Sequence, residues 1–520
     1  MNLAYLSRFW AKWKPEIIAV TCDNDNLSWS ELETRTDALA RGMLQQGVNK
    51  GDVVAVLMTN SVTYLEIALA AIKVGAICAP LNLRLTPNEL THQLENSGAV
   101  CVFSESGLID RLQSSAEKLN QLRVVSVDDG AEDSLESFRV DGSPFPIVDC
   151  DDDDGVFLAY TSGTTGLPKG ALLTHGGVRI SAVTRNLVYG HTNSEKLLCV
   201  AQLGAGGTMV ATWASTCVVG GASIVLEQQF DPERSLSMIE HDRITTMFAV
   251  PIFYERMSQE PAFENSNLLA FRHAVTGGAS VSLDLLRRYH ARGVPMVQGY
   301  GLTETSASGV CLRDEESETR IGSAGIPVFN AALKIIGATG EELPPGEPGE
   351  ILIRHPGVMK EYFRSPELTA EALRDGWLHT GDIGLLDSEG YLYVIDRKKD
   401  MLISGGFNVY PAEIERALAG NKGYDFAVIG IPDSRWGEVP LLLVETQEDS
   451  IDIGRISIIC ETELADFKRP RWAVRIEGPF PRNSLGKIAK NELRARYRTL
   501  PDDAQQLSRG VAMNSEVNDD

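Results

Sequence analysis

No Cys-x-x-Cys pair occurs anywhere in this chain; its eight cysteines (Cys22, Cys78, Cys101, Cys150, Cys199, Cys217, Cys311 and Cys460) stand singly, most of them in apolar runs. That excludes the paired spacing of dithiol redox and zinc motifs and predicts reduced core thiols in a cytoplasmic protein. Positive charge is also scarce. Against 71 Asp and Glu there are 48 Lys and Arg, a net charge of −23, which excludes nucleic acid and anionic membrane as general partners and requires any anionic ligand to meet a local positive site. The N-terminal MNLAYLSRFWAKWKPE lacks the continuous apolar segment of a signal peptide. Leu197–Leu226 is free of charged residues, but its five glycines and many Thr, Ser and Gln side chains speak for a buried helix and strand beside a cavity rather than for integral membrane association. The acidic run DCDDDDG, 149 to 155, reads as a solvated turn and not as a metal site.

At 520 residues, with 43% hydrophobic residues, 47 glycines and 23 prolines, the chain is globular, loop-rich and larger than one core. Strand-like runs at 52–58, 99–103, 156–160, 222–226, 245–251 and 295–300 alternate with helical patterns such as SVTYLEIALAAIKVGA and SLDLLRRYHARG. This alternation predicts an α/β architecture with largely parallel sheets. Beyond GYLYVIDRKKD, short strands mix with two helices over about 100 residues, which predicts a smaller α+β domain. The expected division is 1–395, 396–500 and an acidic tail at 501–520.

The segment YTSGTTGLPKGA, 160 to 171, combines exposed backbone N–H groups, hydroxyls and a lysine, a set suited to phosphate. It is not a Walker loop, because Leu167 and Pro168 separate Gly166 from Lys169. Further along come TGGA (276–279), QGYGLTET (298–305), WLHTGD (377–382), DRKKDMLISGGFNVYPAEIE (396–415) and PRNSLGK (481–487). Taken singly these are ordinary: Tyr300 suits a core, Glu304 a helix cap, Asp382 a turn, Lys487 an exposed helix start. Together and in order they resemble the adenylate-forming superfamily of acyl-CoA synthetases, luciferase-like enzymes and peptide-synthetase adenylation domains, over roughly residues 15 to 495.

The resemblance implies a large N-terminal α/β domain of several subdomains and a small, mobile C-terminal α+β domain. It also implies ATP, Mg²⁺ and coenzyme A as co-substrates or cofactor, and a small carboxylic acid as substrate. Thr161, Ser162, Gly163, Thr164, Thr165, Gly166 and Lys169 would grip the β- and γ-phosphates, and Gly277, Gly278, Ala279 and Tyr300 would shelve the adenine. Thr303 would bond the α-phosphate, Glu304 would hold Mg²⁺, and Asp382 and Arg397 would contact the ribose. Lys487 would be the catalytic lysine and Asp396 the hinge. Gly405, Gly406 and Phe407 would line the pantetheine tunnel, with Lys468 and Arg469 near the CoA phosphates.

Such parts belong together chemically. A carboxylate is a poor electrophile; transfer to the α-phosphate of ATP gives an acyl-adenylate whose AMP leaves when a thiol attacks. Two anions must be brought together in a water-poor cleft and the developing charge stabilised.

The family's acyl-pocket motif appears here as Ala201-Gln202-Leu203-Gly204-Ala205-Gly206-Gly207, with Gly204 at the position of the usual histidine. Glycine cannot bind an amino acid's ammonium. No basic residue occurs between Leu197 and Leu226 to pair with a second carboxylate, which disfavours malonate-like acids unless a partner comes from elsewhere. A roomy, uncharged pocket with Leu203, Gly204, Val250, Gln298 and Gly309 as lining, flanked by Pro251, Gly277 and Thr305, suits a medium or long fatty acid or a bulky or aromatic acid. The competing readings are an acyl-adenylating enzyme that loads a carrier protein and a ligand-binding pseudoenzyme; the latter predicts damaged catalytic positions, whereas all five are present. A homodimer is compatible with the sequence.

Overall fold

The computed structural model describes residues 1–119, 122–128, 133–161, 168–279, 281–421, 423–433, 435–482 and 487–507. Within them the chain builds four sheets. The first has the strand order 326–327, 310–311, 296–300, 273–277, 246–249, 196–199, 223–226, 18–22, 25–28, and its six inner strands from Met296–Tyr300 to Ile18–Cys22 are parallel. The second has the order 361–362, 169–174, 155–161, 77–80, 53–57, 101–104, 123–126, with parallel pairing from Gly155–Thr161 onward. Strands such as VVAVL, Val53–Leu57, are buried at every position, as expected of parallel strands covered on both faces.

One core joins the two sheets: Val54 and Val56 of one and Val20, Leu197 and Ile224 of the other close on the same helices, among them Val62–Lys73. That helix starts where the Ser61 side chain accepts from the Tyr64 N–H, a serine N-cap. Its last residue, Lys73, is fully buried and satisfied by Asp37 at 2.6 Å and Glu33 at 2.9 Å. Open α/β sheets place ligands at the C-terminal ends of their parallel strands.

The segment Leu197–Leu226 forms the tail of strand Lys196–Cys199, a π-helix over Val210–Val219 and strand Ser223–Leu226. No helix among the described residues is long and apolar enough to cross a membrane. All eight cysteines are free and buried. In the acidic run, Asp152 pairs with Arg179 at 2.8 Å and Asp154 with Lys50 at 2.7 Å, and no group of three potential metal ligands occurs among the described residues.

The parallel expectation misses the third sheet, an antiparallel unit of Ala332–Ile336, Gly349–Arg354, Leu373–Arg374, Trp377–Leu386 and Leu392–Arg397. Its strands carry Lys334, Glu350 and Arg354 among their apolar residues and so lack the continuous apolar signature used to find the others. The fourth sheet, from Leu402 to Gln506, has two cores of its own, one on each face, the first closed by helices Pro411–Leu418 and Ile453–Glu463.

Candidate active site

Parallel strands His273–Gly277 and Met296–Tyr300 end side by side, with Gly277 opposite Gly299. A Cβ at Gly277 would lie 2.8 Å from the Gly299 carbonyl oxygen, so this strand pairing itself calls for glycine. Gly278 follows with φ +77°, a left-handed conformation that turns the exposed Ala279 backbone outward. At the neighbouring strand end the Tyr300 hydroxyl donates to Asp382 Oδ2 at 2.8 Å. Asp382 comes from the antiparallel sheet, where it pairs in register with Arg397, whose Nε is 3.7 Å from Oδ1. Burial raises the Asp382 pKa, and Arg397 and Tyr300 oppose that shift.

Below this shelf, Glu304 is buried in the short turn Thr303–Thr305. Its Oε1 accepts from the Tyr362 hydroxyl at 2.7 Å and from Thr161 Oγ1 at 3.4 Å. The Lys169 ammonium stands 5.2 Å over the Tyr362 ring. Tyr362 thus links Lys169 to Glu304, a connection invisible in the sequence because EYFR carries no motif. It reaches the site through the two-residue strand Glu361–Tyr362, paired with Ala171 and Leu172. Ser162, Gly163, Thr164, Thr165 and Gly166 lie outside the described residues.

Lys487, nearly a hundred residues beyond Asp396, closes over the same place: its Cε and Nζ are both 3.9 Å from where a Cβ of Gly278 would be, next to Val250 at 3.5 Å. Burial lowers its pKa to about 8; Arg397 and Lys399 push the same way, while Asp382 and Glu304 oppose. An ammonium held at this cost is suited to an incoming anion. Asp396 joins the two parts of the chain, since its carboxylate accepts from its neighbour Arg397 N–H at 2.7 Å and from Ala412 N–H, in the first turn of helix Pro411–Leu418, at 2.8 Å.

Glu304, close to the Thr161 hydroxyl, and Asp382 are the carboxylates that act on Lys487 here. That donor set fits Mg²⁺, which takes one or two protein carboxylates and completes its shell with phosphate oxygens and water.

The remaining expected residues are placed elsewhere. Gly405 and Gly406, at φ +59° and +84°, turn the hairpin Leu402–Val409; a Cβ on Gly405 would strike the Trp436 ring at 2.4 Å. Phe407 is exposed and stacks on Phe467 at 4.7 Å. Lys468 is engaged by Glu413 at 2.6 Å, and Arg469 donates to the Leu464 and Glu461 carbonyls.

The residues expected to line the acyl pocket are placed as follows. Leu203 is a fully buried core residue whose N–H donates to Asn60 Oδ1 at 2.9 Å. At Gly204 an added Cβ would fall 2.0 Å from the Leu81 carbonyl oxygen, so this glycine leaves no room; backbone from the APLN segment already fills it. Gln298 donates to the Ser323 carbonyl at 3.4 Å, and a Cβ added at Gly309 would lie 3.3 Å from the Tyr300 carbonyl oxygen. Val250 comes within 3.5 Å of where a Cβ of Gly278 would be, the same point that Lys487 approaches.

The family model of the AMP-binding enzyme matches residues 7–363. The chain belongs to this family. Relatives of the AMP-binding chain include a feruloyl-CoA synthase of Amycolatopsis, 39% identical over 94% of this chain and 97% of that protein. A long-chain-fatty-acid–CoA ligase of Mycobacterium tuberculosis is 34% identical over 95% and 98%. Among solved structures, the o-succinylbenzoate CoA synthetase of Bacillus subtilis with its acyl-adenylate intermediate superposes with TM-score 0.84 at 30% identity, covering 97% of this chain and 99% of that one. The AMP-binding chain described here is an acid–CoA ligase of the AMP-forming type, using ATP and CoA to activate a small carboxylic acid.

Proposed function

We propose that the acid is bulky and aromatic, and that Lys487, Thr303 and Glu304 carry the adenylation step. The observation that carries the mechanism is the approach of Lys487 to Gly278, beside the Tyr300–Asp382 hydrogen bond. The acid's carboxylate attacks the α-phosphorus of ATP, a P–O bond forms, and the bond to pyrophosphate breaks; a thiol then attacks the acyl carbon and AMP leaves. In the first step the Lys487 ammonium offsets the charge gathered on carboxylate and α-phosphate oxygens, and Thr303 supplies a hydroxyl donor. Asp382 accepts from the ribose hydroxyls, with Tyr300 holding its carboxylate in place. Glu304 would hold Mg²⁺, which would supply positive charge against the phosphate oxygens. The aromatic acid class is supported by the likeness to a feruloyl-CoA synthase.

For the second step, the unit from Asp396 onward would swing about that residue, withdrawing Lys487 and bringing Gly405, Gly406 and Phe407 to the thiol. The test is product identification by mass after incubation with ATP, Mg²⁺, CoA and a panel of fatty, cinnamic, benzoic and dicarboxylic acids. AMP, pyrophosphate and an aryl-CoA are expected. Preference for alkyl acids would overturn the acid class, and an adenylate that discharges only onto a carrier protein would overturn the thiol acceptor.

A further inference from the structure

Arg185 is buried, 4% exposed, in helix His175–Tyr189, where the mechanism gives it no task. One of its terminal nitrogens donates to Thr216 Oγ1 at 3.2 Å; the other, Nη1, has no hydrogen-bond partner among the described residues. The groups acting on its charge are Tyr189, Cys311 and Cys217, none of them a carboxylate. A guanidinium stays protonated even when desolvated, and an uncompensated buried cation is costly, so this site is built for an acceptor.

Its position follows from two helical segments that both pass the turn Thr303–Thr305. In helix His175–Tyr189 the Ser181 hydroxyl donates to the Thr305 carbonyl at 3.2 Å, and Arg185 lies one turn, roughly 6 Å, further on. The π-helix Val210–Val219 is entered through Gly207, whose Cβ would lie 3.3 Å from Thr303 Oγ1. The helices meet where Arg185 bonds Thr216. Strand Met296–Tyr300 faces them, with Tyr189 OH 2.8 Å from where a Cβ of Gly299 would be. π-helical turns recur at functional sites. Here one brings Thr216 against the guanidinium.

We propose that Arg185, with Thr216, is a specificity residue that reads an acceptor oxygen on the acid, remote from the carboxylate being activated. The oxygen is a ring hydroxyl or a second carboxylate. It supplies the basic partner that the stretch Leu197–Leu226 lacks. This rests on the acid–CoA ligase reading.

The experiment measures pyrophosphate release with cinnamic, 4-hydroxycinnamic and 4-carboxycinnamic acids, and with alkanoic acids of similar length, for the natural protein, Arg185→Met and Arg185→Lys. The natural protein should favour acids with the remote oxygen. In Arg185→Met the kcat/KM ratio of substituted to plain cinnamic acid should fall by about tenfold to a hundredfold. Retention by Arg185→Lys of the preference for the carboxylated acid, with loss for the hydroxylated one, would single out charge pairing; equal losses would single out the guanidinium fork, and either outcome supports the assignment. A parallel fall for all acids, or turnover confined to plain acids, overturns it. If the methionine variant does not fold, the lysine variant alone decides, an unchanged ratio for both substituted acids being the overturning result. No pyrophosphate with any acid would overturn the ligase reading, and this assignment with it.

Discussion

Lys487 loses its proton near pH 8 instead of 10.5 because it is desolvated beside Arg397 and Lys399. Two consequences of opposite sign follow. The chemical step needs the ammonium, so kcat/KM for pyrophosphate release in the free enzyme should fall as pH rises above about 8. The ligand-free closed arrangement, by contrast, binds fewer protons than a state with Lys487 in water, so it gains stability as pH rises from about 8 towards 10.5. A pH profile of Lys487→Arg, whose cation persists to higher pH, should lose the basic limb; an unchanged limb would assign it to another group. Tyr362 offers a second measurement at this scale. Replacing it with Phe removes the 2.7 Å bond to Glu304 while keeping the ring under Lys169. A hydrogen bond to a charged group contributes about 1.5–3 kcal/mol, so the KM for Mg·ATP should rise by at least about tenfold. A lower thermal midpoint with that KM unchanged would make Tyr362 structural only.

Among the elements, the turn at Gly204 shows where sequence reasoning stops. A missing side chain looks like open space in a sequence; in the fold, Leu81 occupies it, and no local pattern announces a contact across more than a hundred residues. Histidine at Gly204 should therefore find no space beside Leu81. Even Gly204→Ala forces backbone to move and should cost about 1–3 kcal/mol or more in denaturant unfolding, where a neutral result would show that the turn relaxes freely. The strands at 53–57, 101–104, 155–161, 223–226, 246–249 and 296–300 were legible because parallel strands buried on both faces are continuously apolar. The antiparallel unit that presents Asp382 was not, since its strands mix charged with apolar residues. The same division holds in the site. Tyr300, Glu304, Asp382 and Lys487 were legible because their motifs surround them, whereas Tyr362 and Arg185 matter through tertiary neighbours alone.

At the scale of the whole molecule, the arrangement described is the one with Lys487 over Gly278, and Asp396 helps hold it. Its carboxylate ties the end of strand Leu392–Arg397 to the first turn of helix Pro411–Leu418, where exposed N–H groups and the helix dipole favour an anion. Arg416 of that helix reaches back to the Ile395 carbonyl at 2.9 Å, a second tie across the same joint. If the unit beyond Asp396 swings between the two steps, the swing must break such ties, and weakening them should penalise one step selectively. Asp396→Ala removes both carboxylate bonds and should slow pyrophosphate release by about tenfold, a loss of roughly 1.5 kcal/mol, while thioester formation from a synthetic acyl-adenylate and CoA does not slow. Arg416→Ala should shift the balance in the same direction by less. Equal slowing of both half-reactions by Asp396→Ala, with circular dichroism unchanged, would mean that Asp396 serves a single arrangement in both steps, and the swing would then have to be given up.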